Sequence, residues 1–225
     1  MTALPVVHAV TTDEIITRDD FLTRASGVMR ALGPRGAIHL RASAVTSRRL
    51  HQLAAALAAL QESTGAWLVV NDRVDIALAT GARGIQLTSR SMDAADAVRA
   101  VRATAPGTPQ PAFGLSVHGP EGAREAGDGS GISWLVVGHV FDTPSHAGDA
   151  ARGAGMLHDV SAATTLPVIA IGGVRPTHIG ELRQHGAYGV AVIRGIWRAD
   201  DAESAAAEYL SAHDAVQSTG PSGGA

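Results

Sequence analysis

Apolar residues along the chain fall into short blocks, separated by stretches where they recur at helical spacing. The blocks are VVHAVT from Val6, AIHLRA from Ala37, WLVVND from Trp67, GIQL from Gly84, AFGLSVH from Ala112, WLVVGHVF from Trp134, VIAIGG from Val168 and GVAVIRG from Gly189. They are short and rich in branched residues, which predicts strands. The stretches between them predict helices over Glu14–Leu32, Thr46–Ser63, Val74–Thr80, Met92–Thr104, Pro120–Ala126, Gly153–Thr164, Pro176–His185 and Ala202–His213. Pro176 suits a first helical turn, where no amide donor is needed. Gly81 and Gly186 mark returns from helix to strand, because a left-handed helix terminus is easiest for glycine.

Strict alternation of strand and helix favours a parallel sheet. Near-continuous apolar runs such as LVV and VIAI are what strands covered on both faces require. Eight such units predict an α/β fold, a single-domain (β/α)8 TIM barrel over residues 1–215. An open doubly wound sheet is the competing architecture. Its first turn should carry a glycine-rich phosphate fingerprint, and TTDEIITRDD has no glycine. From about Gln217 the sequence QSTGPSGGA loses apolar periodicity, so 216–225 is expected to be a disordered tail.

Composition narrows the chemistry. The 18 basic residues are all arginine, and there is no cysteine. Schiff-base chemistry, a P-loop lysine, thiol nucleophiles and iron–sulfur ligation are therefore excluded. Catalysis is left to histidine, carboxylates, hydroxyls and backbone amides. A net charge of −3 and a pI near 6.3, with no arginine run longer than Arg48-Arg49, give no footprint for nucleic acid or anionic lipid. No apolar stretch approaches the roughly 20 residues of a membrane span, and MTALPVVHAVTTDE lacks a basic leader region. The chain is expected to be cytoplasmic, with no nucleic-acid or membrane partner. A homo-oligomer is compatible with a barrel but not readable from the sequence.

Barrel enzymes keep their chemistry at the C-terminal ends of the strands. There, alternation puts His39 and Arg41 on one face and Ile38 and Leu40 on the other. Arg41 then points into the mouth to meet an anion, or forms a salt bridge at the rim. The third strand ends Val70-Asn71-Asp72-Arg73, where Asp72 serves the site or caps the following helix. The fifth carries Gly114, Ser116 and His118 on one face, and the sixth runs into Gly138-His139-Val140-Phe141-Asp142-Thr143. Of ten histidines, His8, His39, His118 and His139 fall in strand blocks, and their convergence on one interior favours proton transfer by one of them. His51, His158, His178, His185 and His213 fall in helices and read as surface residues. No HxH or HExxH spacing occurs, and His139 and His146 do not make a metal motif, so no metal ligand set is expected. The seventh and eighth strands end Gly172-Gly173 and Arg194-Gly195. In a barrel these two turns commonly bind phosphate through backbone amides, and Arg194 could add a charge-assisted bond.

The blocks HLRAS, VNDRVDIAL with GARGIQL, GLSVH, VGHVFDT, LPVIAIGGV and GAYGVAVIRGI resemble, in order and spacing, the thiamin phosphate synthase superfamily over roughly residues 5–210. That resemblance implies one of two activities on a shared barrel. A synthase couples an aminopyrimidine pyrophosphate to a thiazole phosphate with Mg²⁺; the thiazole tautomerase (TenI) branch shifts a proton on a thiazole carboxylate phosphate. Synthases carry an Arg-Glu-Lys motif after strand two, an acid after strand four and a Thr-Pro-Thr-Lys loop after strand six. Here those places read Arg41-Ala42-Ser43, Thr88-Ser89-Arg90-Ser91 and Thr143-Pro144-Ser145-His146, and the nearest acid, Asp93, is displaced. A departing pyrophosphate needs a metal and cations to stabilise its charge, and both lysines are gone. GHVFDT, VHAVT and SVH look like the tautomerase branch.

The resemblance therefore implies an isomerase with His139 as the proton carrier. Arg41 and Ser116 would orient the substrate; His8, Asn71, Gln86 and His118 would line the pocket; Gly172, Gly173, Arg194 and Gly195 would hold the phosphate. The ligand would be a thiazole phosphate and no cofactor would be needed. A synthase, with Asp72 on Mg²⁺, is the first alternative, and a silent thiazole phosphate-binding regulator the second.

Overall fold

The computed structural model describes residues 3–104, 109–127, 130–143 and 152–218. Eight strands close a parallel barrel in sequence order: β1 (Val7–Val10), β2 (Gly36–Leu40), β3 (Trp67–Asn71), β4 (Gly84–Leu87), β5 (Ala112–Val117), β6 (Ile132–Gly138), β7 (Val168–Ile171) and β8 (Gly189–Val192). The last strand returns to the first, with Val7 opposite Val190.

Strand alternation divides the core in two. Ile38, Leu40, Leu68, Val70, Ile85 and Leu87 face outward and are buried under the helices. Val10, Ala37, Trp67, Val69, Trp134, Val136, Ile169 and Ala191 form a separate cluster inside the barrel. Both faces are covered, which is why these strands read as unbroken apolar runs. Trp134 is the more deeply buried of the two inward tryptophans, and its neighbours make room for it. A side chain at Gly114 would collide with the Trp134 indole and the Gln86 amide, and a Cβ at Gly84 would lie 3.1 Å from the same ring.

The helices follow the expected order with local corrections. The predicted Glu14–Leu32 helix is broken into α1 (Asp13–Ile16) and α2 (Phe21–Leu32). At the break the Thr17 hydroxyl donates back to the Asp13 carbonyl at 2.9 Å, and Arg18 forks onto Asp20. These local bonds offer the backbone an alternative to continuing the helix. Next come α3 (Ser47–Thr64), α4 (Val74–Thr80), α5 (Ala94–Thr104), α6 (Pro120–Glu125) and α7 (Gly153–Ala162). The Thr46 hydroxyl accepts the Arg49 amide to start α3, and Gly65 ends it in the left-handed region. A 3-10 turn over Pro176–His178 opens α8 (Ile179–Gln184). The short α9 (Arg194–Trp197) follows β8 directly; one turn is too short to show periodicity. Finally, α10 (Ala202–Ser218) runs past Gln217, where apolar periodicity fades, and packs on α2 and α8. Residues 219–225 of the predicted tail lie outside the described residues. Among the described residues no helix is long and apolar enough to cross a membrane.

Two glycine substitutions test this packing in opposite directions. Gly114→Ala should cost about 1–3 kcal/mol by overpacking the barrel interior. Gly155→Ala, in α7 with nothing within 4 Å of the added methyl, should be neutral or stabilise by up to about 1 kcal/mol. Urea denaturation of both variants checks the pair; equal effects would contradict the packing described.

Candidate active site

The strand ends and their loops enclose a cavity of about 870 Å³. Arg41, Asn71, Gln86, Ser116, His118, His139, Gly172, Gly173, Arg194 and Gly195 all line it, although they come from seven different strand ends. His118 and His139 stand just past β5 and β6 rather than within them.

His8 is the exception. Expected to line the pocket, it sits near the start of β1, while Val10 reaches the cavity. Its Nε2 donates to the Pro5 carbonyl at 3.0 Å and its Nδ1 meets His39 Nε2 at 2.8 Å. Since Pro5 offers only an acceptor, a neutral His8 carries its proton on Nε2, and His39 must donate to its bare Nδ1. Burial pushes the His8 pKa down to about 4, against a smaller upward pull from the Pro5 bond. Burial, then the adjacent His8, also hold His39 well below the usual imidazole range. This neutral pair forms a floor beneath the mouth. His39 itself lines the cavity, on the inner face where strand alternation put it.

Gln86 is oriented in the same manner. The Trp134 indole can only donate, and it donates to Gln86 Oε1 at 2.9 Å. The Gln86 amide nitrogen therefore turns to Ser116 Oγ at 3.1 Å. With its oxygen accepting, the Ser116 hydroxyl keeps a proton for the cavity.

His139 is 8% exposed and packs on the β7 turn. A side chain at Gly172 would collide with His139 Cβ, and Gly172 has φ 104°. Past the barrel the two strand ends stay paired, Val140 N–H donating to Ile171 O at 2.9 Å and Phe141 N–H to Gly172 O at 3.0 Å. From the other side, the Arg152 amide donates to the His139 carbonyl at 3.2 Å. The Arg194 guanidinium donates to the Thr143 hydroxyl across the mouth. Arg175 and Tyr209 also line the cavity, and the sequence reading missed both. Arg175 stands two residues after the glycine pair and was legible there; Tyr209 comes from α10, far from any strand end. His146 and its neighbours 144–151 lie outside the described residues.

The Arg41 segment is held by an acid the sequence did not single out. Asp13 accepts the Ser43 and Ala44 amides at 2.9 and 2.8 Å and the Ser43 hydroxyl at 2.9 Å. Burial pushes the Asp13 carboxyl up, but these bonds and the nearby Arg41 outweigh it and hold the pKa below its usual value.

Asp72 neither caps α4 nor lines the cavity. It has φ 61°, and its Oδ1 accepts the hydroxyls of Thr88 and Ser91. Asp93 is committed to starting α5, accepting the Ala95 amide at 2.9 Å. Among the described residues no three His, Asp or Glu side chains converge as a metal site. One carboxylate already engaged by two hydroxyls, with its would-be partner turned to a helix start, does not fit a paired-acid Mg²⁺ site.

A buried histidine, glycine turns on the last two strands and arginines thus meet at the mouth of a (β/α)8 barrel, the face on which barrel enzymes carry their chemistry. The family model described as thiamine monophosphate synthase matches residues 7–196, and the chain belongs to this family. Curated relatives include the thiamine-phosphate synthases of Natronomonas pharaonis, 34% identical over 82% of this chain and 83% of that protein, and of Roseiflexus castenholzii, 37% identical over 77% and 73%. Among solved structures, thiamine phosphate pyrophosphorylase from Pyrococcus furiosus superposes with a TM-score of 0.78 at 27% identity, covering 94% of this chain and 96% of that one. The two curated relatives carry the synthase name and the solved structure that of a pyrophosphorylase; none speaks for the tautomerase branch.

The buried imidazole pair makes stability depend on pH with a definite sign. His8 binds a proton near pH 6.5 when unfolded and near pH 4 when folded, so the unfolded state holds more protons between those values. Stability should fall as pH drops from about 6.5 towards 4, in a window above that of the carboxylates. Denaturant midpoints between pH 7.5 and 4.5 check this; a midpoint that holds or rises on acidification would contradict it.

Proposed function

We propose that the chain is an isomerase acting on a thiazole carboxylate phosphate, with His139 carrying the proton. The supporting observation is the placement of His139: nearly buried, at the cavity wall, and in direct contact with the glycine turn that would bind the phosphate. A proton leaves the ring carbon that bears the carboxylate and another arrives at the exocyclic carbon, and the ring becomes aromatic. No group is transferred and no redox change occurs. Such a shift requires a general acid/base, donors for the carboxylate and a phosphate anchor. His139 supplies the first, Arg41 and the Ser116 hydroxyl the second, and the amides around Gly172, Gly173 and Gly195, with Arg194, the third. On this reading no cofactor takes part.

The second reading is thiamin phosphate synthase, and the names of the relatives favour it. Asn71 on the cavity wall and the Arg194–Thr143 contact also suit it. Against it stand the absence of lysine throughout the chain and the engagement of Asp72 by Thr88 and Ser91.

His139→Asn should lower turnover of the thiazole tautomer about 10²- to 10⁴-fold with little change in ligand affinity, the usual scale for losing an acid–base group. Near wild-type turnover would remove His139 from the mechanism. In parallel, incubation with aminopyrimidine pyrophosphate, thiazole phosphate and Mg²⁺ should yield no enzyme-dependent thiamin phosphate. Clear product formation would establish the synthase reading instead. Tight thiazole phosphate binding with neither activity would leave a silent binder.

A further inference from the structure

The β7 and β8 turns are separate pieces of chain, and something must hold them in register if both are to bind one phosphate. The β7 turn contains Gly172 at φ 104° and Gly173 at φ 65°, conformations that leave a peptide plane free to rotate unless its neighbours are fixed. Immediately after them, the Val174 carbonyl accepts the Tyr209 hydroxyl at 2.9 Å. Left unbonded, the Val174–Arg175 peptide beside that turn could swing its oxygen toward the cavity, where it would repel an anion, and carry the Arg175 amide away. The same phenol reaches the β8 turn. A side chain at Gly195 would collide with the Tyr209 oxygen and lie 3.2 Å from the ring carbon that bears it. Tyr209 is 3% exposed, and burial pushes its pKa up to about 12, so the phenol stays a donor.

We infer that Tyr209 is a positioning residue for the phosphate: one phenol, bonded to the β7 turn and packed on the bare backbone of the β8 turn, sets the distance and orientation of both. The glycine at 195 is then needed for the phenol as much as for the ligand. This inference rests on the phosphate-anchor part of the proposed function, not on which reaction follows.

The test is calorimetric binding of thiazole phosphate and of the same thiazole alcohol without its phosphate, to wild type, Tyr209→Phe, Gly195→Ala and the double variant. Tyr209→Phe keeps the ring and its packing. It should weaken thiazole phosphate about tenfold, the scale of one lost hydrogen bond, leave the alcohol unchanged, and raise KM with kcat preserved. Gly195→Ala should weaken thiazole phosphate more severely in wild type than in the Tyr209→Phe background, where the colliding oxygen is gone. Equal affinity of wild type and Tyr209→Phe for thiazole phosphate, or strictly additive effects of the two substitutions, would overturn the inference. Wild type that binds the alcohol and the phosphate equally well would instead overturn the phosphate anchor itself.

Discussion

The site depends on the close run of β6 and β7 beyond the barrel. Two backbone bonds, Val140 to Ile171 and Phe141 to Gly172, carry the pairing past the end of β6 and onto the first residue after β7. His139 is thereby pressed onto Gly172, where no side chain fits. The proposed proton carrier and the proposed phosphate turn are thus parts of one backbone unit. A ligand anchored by its phosphate would meet His139 without any loop having to move, and orientation of that kind is a large share of what an active site supplies.

Below that unit the barrel interior sets hydrogen-bond roles in advance. Two chains each start from a group with one possible role, the Pro5 carbonyl and the Trp134 indole. Each passes that constraint upward, through His8 to His39 and through Gln86 to Ser116. Burial keeps the imidazoles neutral, so the polar layer adds no charge of its own. Permanent positive charge at the described mouth comes from arginine, the chain having no lysine. Arginine offers a fixed fork for a carboxylate or phosphate, whereas a departing pyrophosphate calls for mobile cations and metal.

Much of this was legible in the sequence because barrel strands alternate strictly. The parity that put Ile38 and Leu40 under helices also put Arg41 at the mouth and Ser116 on the inner face, while Asn71 was read from the polar end of its strand and Gln86 from the family resemblance. His8 shows the limit: parity gives the face of a strand but not the depth, and residue 8 lies a layer below the mouth. The break between α1 and α2 was hidden because Thr17, Arg18 and Asp20 stop the helix through side-chain bonds that leave apolar periodicity intact. Tyr209 was out of reach for a different reason. Its role depends on α10 returning across the last two turns, and nothing local to residue 209 signals that.

Family membership leaves two reactions open on one barrel, and solvent hydrogen separates them directly. Incubating the thiazole tautomer with the protein in D2O, with metal chelated, and following the product by NMR reports whether a proton is carried to the exocyclic carbon. A proton shift by His139 predicts one deuterium at that carbon, formed faster than without protein and lost with His139→Asn. No accelerated uptake of deuterium, together with Mg²⁺-dependent formation of thiamin phosphate from the synthase substrates, would contradict it.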